Sequence, residues 1–286
     1  PAFALGLSLT LAACPAPEGL QSAPVGATVP SEDLRGNGAV SAADPRAQAA
    51  GEEILAKGGS ATDAAIAVML ALTVVEPQSS GVGGGGFLVR AGDKGVTTFD
   101  GRETAPAAAT PTRFLDADGK RLPRESRVLS GLSVGVPGNL ALAAEAHAKY
   151  GKLEWGELFQ PAIRLARDGF VMNRRLNGSL SGSKGRADKT DAAKAIFFGP
   201  DGEALPVGAR VTNKAFAKTL EALAAAGPRH FYDAMAKDFA GYVAGETPQD
   251  GRMVEADVIS YAAKMRDPVC GRYLTYKVCG MGPPSS

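Results

Sequence analysis

The residue most suited to chemistry in this chain is Arg102, in the run Asp100-Gly101-Arg102-Glu103-Thr104-Ala105-Pro106. A guanidinium presents a rigid fork of donors that matches a carboxylate bidentately, so the chemistry it suggests is recognition of an acidic small molecule. Fifteen residues earlier ends a glycine-packed loop, Glu76-Pro77-Gln78-Ser79-Ser80-Gly81-Val82-Gly83-Gly84-Gly85-Gly86-Phe87. Each segment also has a plainer reading. A lone arginine after a strand is commonly a surface residue or half of an ion pair, here with Glu103 or Asp100. Glycines let a strand pass close to a helix, and packing is the favoured main role for the loop, ahead of backbone lining a pocket.

The loop formally contains Gly-x-Gly-x-x-Gly at Gly81, Gly83 and Gly86. A dinucleotide fingerprint needs strand, glycines and helix in that order, and here a helix precedes and a strand follows. No Lys-Ser/Thr pair closes the run, which excludes a phosphate-cradling loop. His147 and His230 stand far apart and, with three cysteines, make no metal-ligand spacing. Ser79-Ser80 lacks a nucleophile elbow, and no nucleophile–base pair is written anywhere. No cofactor is implied.

The elements that must position these residues follow from pattern. Ala47–Ala56 reads as a helix after a short strand near 39–41. Ser60-Ala61-Thr62-Asp63 matches a capping box and opens a helix to about Val75, apolar on every side and therefore central. Strands at 87–90 and 96–99 flank the turn Gly92-Asp93-Lys94-Gly95, and Arg102 follows the second. Helices are expected at 139–150, 155–167, 212–226, 234–243 and 257–263, with a polar stretch at 111–127 and a mobile loop at 177–192. Helices mixed with antiparallel hairpins make the chain α+β.

A net charge of +1 without single-sign blocks argues against a nucleic-acid footprint or a polybasic membrane patch. Residues 1–14 read as a signal segment clipped at its start, PAFALGLSLTLAAC, too short for a comfortable membrane span. Two readings of it remain: a lipoprotein signal with a lipid anchor at Cys14, or a plain secretory signal. Either implies export, to the periplasm or to a membrane-anchored lipoprotein. Residues 15–38, rich in proline, glycine, serine and alanine, read as a flexible tether before a region at 39–286. In an exported chain Cys270 and Cys279 suit a disulfide across a hairpin turning near Leu274-Thr275; two buried free thiols are the equal alternative.

The stretches Gly58–Ala65, Val75–Phe87 and Asp100–Pro106, followed in order by Val136-Pro137-Gly138, Pro161-Ala162-Ile163, Gly169-Phe170 and Met281–Ser286, resemble the large-subunit region of the γ-glutamyltranspeptidase family. The resemblance runs from about residue 39 to the end. It implies an αββα sandwich of the N-terminal-nucleophile hydrolase type, incomplete in this chain. It also implies a self-cleaving precursor whose small subunit begins with the threonine nucleophile, and cleavage of γ-glutamyl amides such as glutathione with transfer to water, amino acids or peptides. Arg102 matches the family arginine that pairs with the substrate α-carboxylate. No residue present here matches the nucleophile, so the chain is expected to be a fragment, inactive alone and lacking its small-subunit partner. The competing expectation is a non-catalytic exported lipoprotein that binds acidic amino acids or peptides.

Overall fold

A computed structural model describes residues 38–285. The expected signal segment, Cys14 and nearly all of the expected tether therefore lie outside the described residues. Asp44 accepts from the Arg46 amide and Pro45 stands at the first turn, so α1 starts at Pro45 and runs to Ala56. The capping box forms as the sequence predicts: Ser60 and Asp63 bond each other's backbone amides and open α2 (Ala61–Val75). Ile66, Ala67, Leu70, Ala71 and Val75 of α2 are buried in the main core. Full burial of such side chains stabilises by about 1.5–3 kcal/mol each for the larger ones.

The glycine loop follows α2 and leads into β1 (Gly86–Gly92), which pairs antiparallel with β2 (Gly95–Gly101). The polar stretch contains one short helix, α3 (Arg124–Val128), and a 3-10 turn at Gly131–Ser133. Helix α4 (Asn139–Tyr150) lies across one face of the sheet, where Leu88 and Phe99 meet Leu142, Ala146 and Tyr150. Asp63 ties α4 back to α2, because its Oδ2 accepts from the Lys152 and Leu153 amides at 2.9 and 3.3 Å.

The expected helix at 155–167 is two pieces: a 3-10 segment Trp155–Phe159, then α5 (Gln160–Asp168). Pro161 sits in the first turn of α5, where its missing N–H costs nothing. A two-residue strand β3 (Phe170–Val171) pairs with β4 (Arg210–Val211). Between them the expected loop at 177–192 is helical at its two ends, with turns at 183–190: α6 spans Arg174–Gly182 and α7 spans Asp191–Phe197, capped by Asn173 and Thr190. Leu176 and Leu180 anchor α6 in the core. Then come α8 (Lys214–Ala226), α9 (His230–Ala234), α10 (Ala236–Gly245) and α11 (Glu255–Ile259).

The chain returns to the sheet through β5 (Lys264–Arg266), which pairs with β2 and puts the strand that leads into Arg102 in the middle, order β1-β2-β5. No strand forms at 39–41. The architecture is mixed helix and sheet, as expected, with helices covering the sheet face that holds Phe99. No helix among the described residues is long and apolar enough to cross a membrane.

A last hairpin, β6 (Val269–Tyr273) and β7 (Tyr276–Gly280), turns at Leu274-Thr275 and sets Cys270 opposite Cys279. The two cysteines are bonded, so the disulfide reading holds and the free-thiol reading does not. Leu274 adopts φ +53°, a left-handed conformation that costs a branched residue about 1 kcal/mol. The hairpin is exposed on both faces. Reduction should therefore raise amide hydrogen exchange across 269–280 while leaving the exchange of α2 and α4 unchanged, because among the described residues the two strands of the hairpin pack chiefly on each other. Faster exchange in α2 on reduction would contradict that.

Candidate substrate-binding site

Strand β2 delivers Arg102 to its place, and three side chains then fix the backbone there. The Arg102 amide donates to Asp100 Oδ1 at 2.8 Å, a local turn of the kind aspartate favours. The Arg102 carbonyl accepts from the Tyr261 hydroxyl at 2.7 Å. Asp100 is itself held by the Arg266 Nε of β5 at 2.6 Å and is buried. Two residues further, Thr104 and Val136 exchange backbone hydrogen bonds, so the segment is braced on both sides.

The guanidinium is treated differently from the backbone. Its side chain is 60% exposed, and its one ionic neighbour is Glu103, 3.7 Å from Nε. Among the described residues it donates no hydrogen bond, so its fork is open to a ligand. It stands at a hollow of about 360 Å³ shared with Thr104, Arg113, Phe114 and Ser133. Arg113 is the second cation of that hollow, yet each of its three side-chain nitrogens is already engaged. They reach the carbonyl oxygens of Leu132 (3.1 Å), Gly131 (3.4 Å) and Gly251, and the residue is buried. Burial pulls its pKa below the usual arginine value. Arg113 therefore shapes the wall, and Arg102 alone offers an unspent fork.

The glycine loop proves to be packing that serves this segment. Gly84 O accepts from the Gly138 and Asn139 amides at 2.9 and 3.0 Å, which satisfies the start of α4. Asn139 Nδ2 returns a bond to Gly81 O at 2.8 Å. A Cβ on Gly85 would stand 2.6 Å from Gly101 O and 2.7 Å from the Glu103 amide, so only glycine lets the loop lie against the Arg102 strand. The two segments that spacing singled out are thus brought together.

The other candidates are not joined to them. His147 Nε2 pairs with Leu153 O at 2.8 Å, and the ring packs edge-on against Trp155. Among the described residues no serine, threonine or cysteine side chain hydrogen-bonds a histidine. Ser79 and Ser80 are bound through their amides to Glu76 O.

Tyr261 is the contributor that sequence reasoning missed, 159 residues from Arg102 with no local signal. It stacks on Tyr232 with ring centres 5.9 Å apart. Tyr232 in turn donates to Pro137 O at 3.0 Å and accepts from the Ala141 amide at 3.1 Å, fixing the start of α4. Burial first, then the carboxylates of Asp100 and Glu103, pushes the Tyr261 hydroxyl up to about 12. Burial raises Tyr232 further still. Both groups are raised above the unfolded value of about 10, so their contribution is complete below pH 10 and is lost as pH climbs through the folded values. Chemical denaturation should show a flat stability plateau up to about pH 9.5 and a decline above it, shallower in Tyr261→Phe. A decline as steep in that variant would remove Tyr261 from the account.

Comparison with known proteins gives the family. The family model for γ-glutamyltranspeptidase matches residues 47–286, which include the glycine loop and Arg102. The chain is 39% identical over 258 residues to a glutathione hydrolase proenzyme of Bacillus subtilis (strain 168), covering 89% of this chain and 43% of that protein. It is 40% identical over 253 residues to a glutathione hydrolase proenzyme of Escherichia coli (strain K12), covering 87% of this chain and 43% of that one. The chain thus spans less than half the length of these relatives. Among solved structures it is similar to the γ-glutamyltranspeptidase of Helicobacter pylori, with a TM-score of 0.80 and 34% identity over 87% of this chain and 71% of that one. The fold is accordingly of the N-terminal-nucleophile hydrolase type, and the chain belongs to the γ-glutamyltranspeptidase family.

Proposed function

We propose that this chain is the large-subunit part of an exported γ-glutamyltransferase or glutathione hydrolase, and that Arg102 holds the α-carboxylate of its γ-glutamyl substrate. The observation that carries the reading is the contrast at Arg102 between a backbone pinned by Asp100 and Tyr261 and a guanidinium with no committed donor. A structural arginine is the reverse case, as Arg113 illustrates in the same hollow. Support for the substrate class comes from relatives named glutathione hydrolase. Support for export comes from the apolar segment ending at Cys14.

In this mechanism Arg102 contributes binding and orientation, presenting the scissile γ-amide to a nucleophile. That nucleophile is assigned to the small subunit and to none of the residues of this chain. No described residue offers an activated hydroxyl or thiol, since His147 is spent on a carbonyl and Cys270 is bonded to Cys279. Charge on Arg102 therefore lowers the free energy of bound substrate and of the transition state alike, and its loss should appear in KM rather than kcat. The test is the kinetics of Arg102 variants in the whole protein with a γ-glutamyl anilide. An unchanged KM would remove Arg102 from the site.

A further inference from the structure

Outside the Arg102 hollow, the terminal hairpin carries a second arrangement with a chemical consequence. Residues alternate between faces along a strand, so Cys270 and Arg272 of β6 share a face with their partners Cys279 and Lys277 of β7. The disulfide thus lies next to a directly opposed Arg272–Lys277 pair. Like charges facing each other across two strands are unfavourable unless something neutralises them. Among the described residues neither cation enters an ion pair. Both line a hollow of about 450 Å³ together with Cys270, Gly271 and Thr275. Cys270 is exposed and lines that hollow, whereas Cys279 is half-buried and does not.

We propose that this hollow is a thiol–disulfide exchange site for small thiols that carry carboxylates, with Cys270 as the sulfur attacked. The thiolate of the incoming molecule forms a bond to Cys270 Sγ while the Sγ–Sγ bond breaks, and the electron pair leaves on Cys279 Sγ, which takes a proton from water. A second thiolate then attacks the incoming molecule's own sulfur. It releases one external disulfide and frees the Cys270 thiolate, so two thiols are oxidised and the protein gains two electrons. Arg272 and Lys277 act twice. They attract the carboxylates of the reagent, and Lys277, two residues from Cys279, stabilises the departing thiolate. The site uses neither Arg102 nor any residue near it, and it requires that the hairpin stay exposed in the whole protein.

The experiment measures second-order rates of Cys270–Cys279 reduction in the oxidised whole protein by glutathione, 2-mercaptoethanol and cysteamine, each corrected for thiolate fraction. The anionic thiol should react fastest and the cationic one slowest. In Arg272→Glu/Lys277→Glu the glutathione-to-cysteamine ratio should fall by about tenfold or more. Should that variant lose the hairpin, raising salt from about 0.01 M to about 1 M with the unaltered chain should collapse the same ratio. Trypsin cleaves after Arg272 and after Lys277, so alkylated digests separate the two cysteines, and the glutathione adduct should lie on Cys270. Ratios within about twofold across variants and salt, or an adduct on Cys279, would overturn the proposal.

Discussion

Replacing Gly138 by alanine should lower the stability of the chain by about 3 kcal/mol, the upper range for forcing one carbon into a packed site. The added Cβ would overlap the Gly101 carbonyl oxygen and the Tyr261 hydroxyl, and would stand 2.7 Å from the Gly101 carbonyl carbon. Neither obstacle yields easily. Gly101 is held in β2 between two neighbours, and Tyr261 is stacked on Tyr232 and bonded to Arg102. Gly138 has φ −123°, so the cost is contact and not backbone conformation. That separates it from glycines such as Gly95, at φ +108°.

An internal control is available in Gly178 and Gly241, which lie inside α6 and α10 with nothing within 4 Å of where an added methyl would stand. Alanine at either should be neutral or stabilise by up to about 1 kcal/mol through helix propensity. Urea denaturation of the three variants should give a large drop in midpoint for Gly138→Ala and none for the others. Similar midpoints throughout would mean that the approach of α4 to the Arg102 strand is not as tight as described.

The second large effect is expected at Arg102 itself. If its guanidinium stayed 60% exposed in the complete protein, pairing with a carboxylate would contribute no more than about 1 kcal/mol. The proposal requires that substrate and small subunit together exclude water from it. Truncation then costs about 2–5 kcal/mol, because a desolvated carboxylate is left unpaired. Arg102→Ala should therefore lower kcat/KM by a factor between about 30 and several thousand, nearly all of it in KM. Arg102→Lys should recover part of the loss, keeping charge but not the planar fork. Melting temperature should barely change in either variant, since the backbone is fixed by Asp100 and Tyr261 and not by the guanidinium.

Much of this arrangement was legible in the sequence where the physics is local. The Ser60–Asp63 capping box, the Gly92–Gly95 turn and the Cys270–Cys279 register all depend on neighbours a few residues apart, and all three formed. The failures have equally physical causes. Strand β5 is Lys264-Met265-Arg266, exposed throughout, so it carries no alternation of buried and exposed residues; only pairing with β2 makes it a strand. Helix α6 is short and rich in small polar residues, and looks like a loop until Leu176 and Leu180 are seen to reach the core. Asn173 and Thr190 were the available signals, as side-chain caps. At the site, Arg102 and the glycine loop could be singled out by spacing and residue type. Tyr261 and Arg266 could not, because their relation to Arg102 exists only once β5 and α11 have folded back against β2.

The most direct test compares two substrates in the whole protein and its Arg102→Ala variant: a γ-glutamyl anilide, and the same anilide lacking its α-carboxylate. With the intact substrate the variant should lose at least about thirtyfold in kcat/KM, and with the decarboxylated one the two proteins should differ by no more than about twofold. Equal losses with both substrates, or no loss with either, would contradict the assignment of that carboxylate to Arg102.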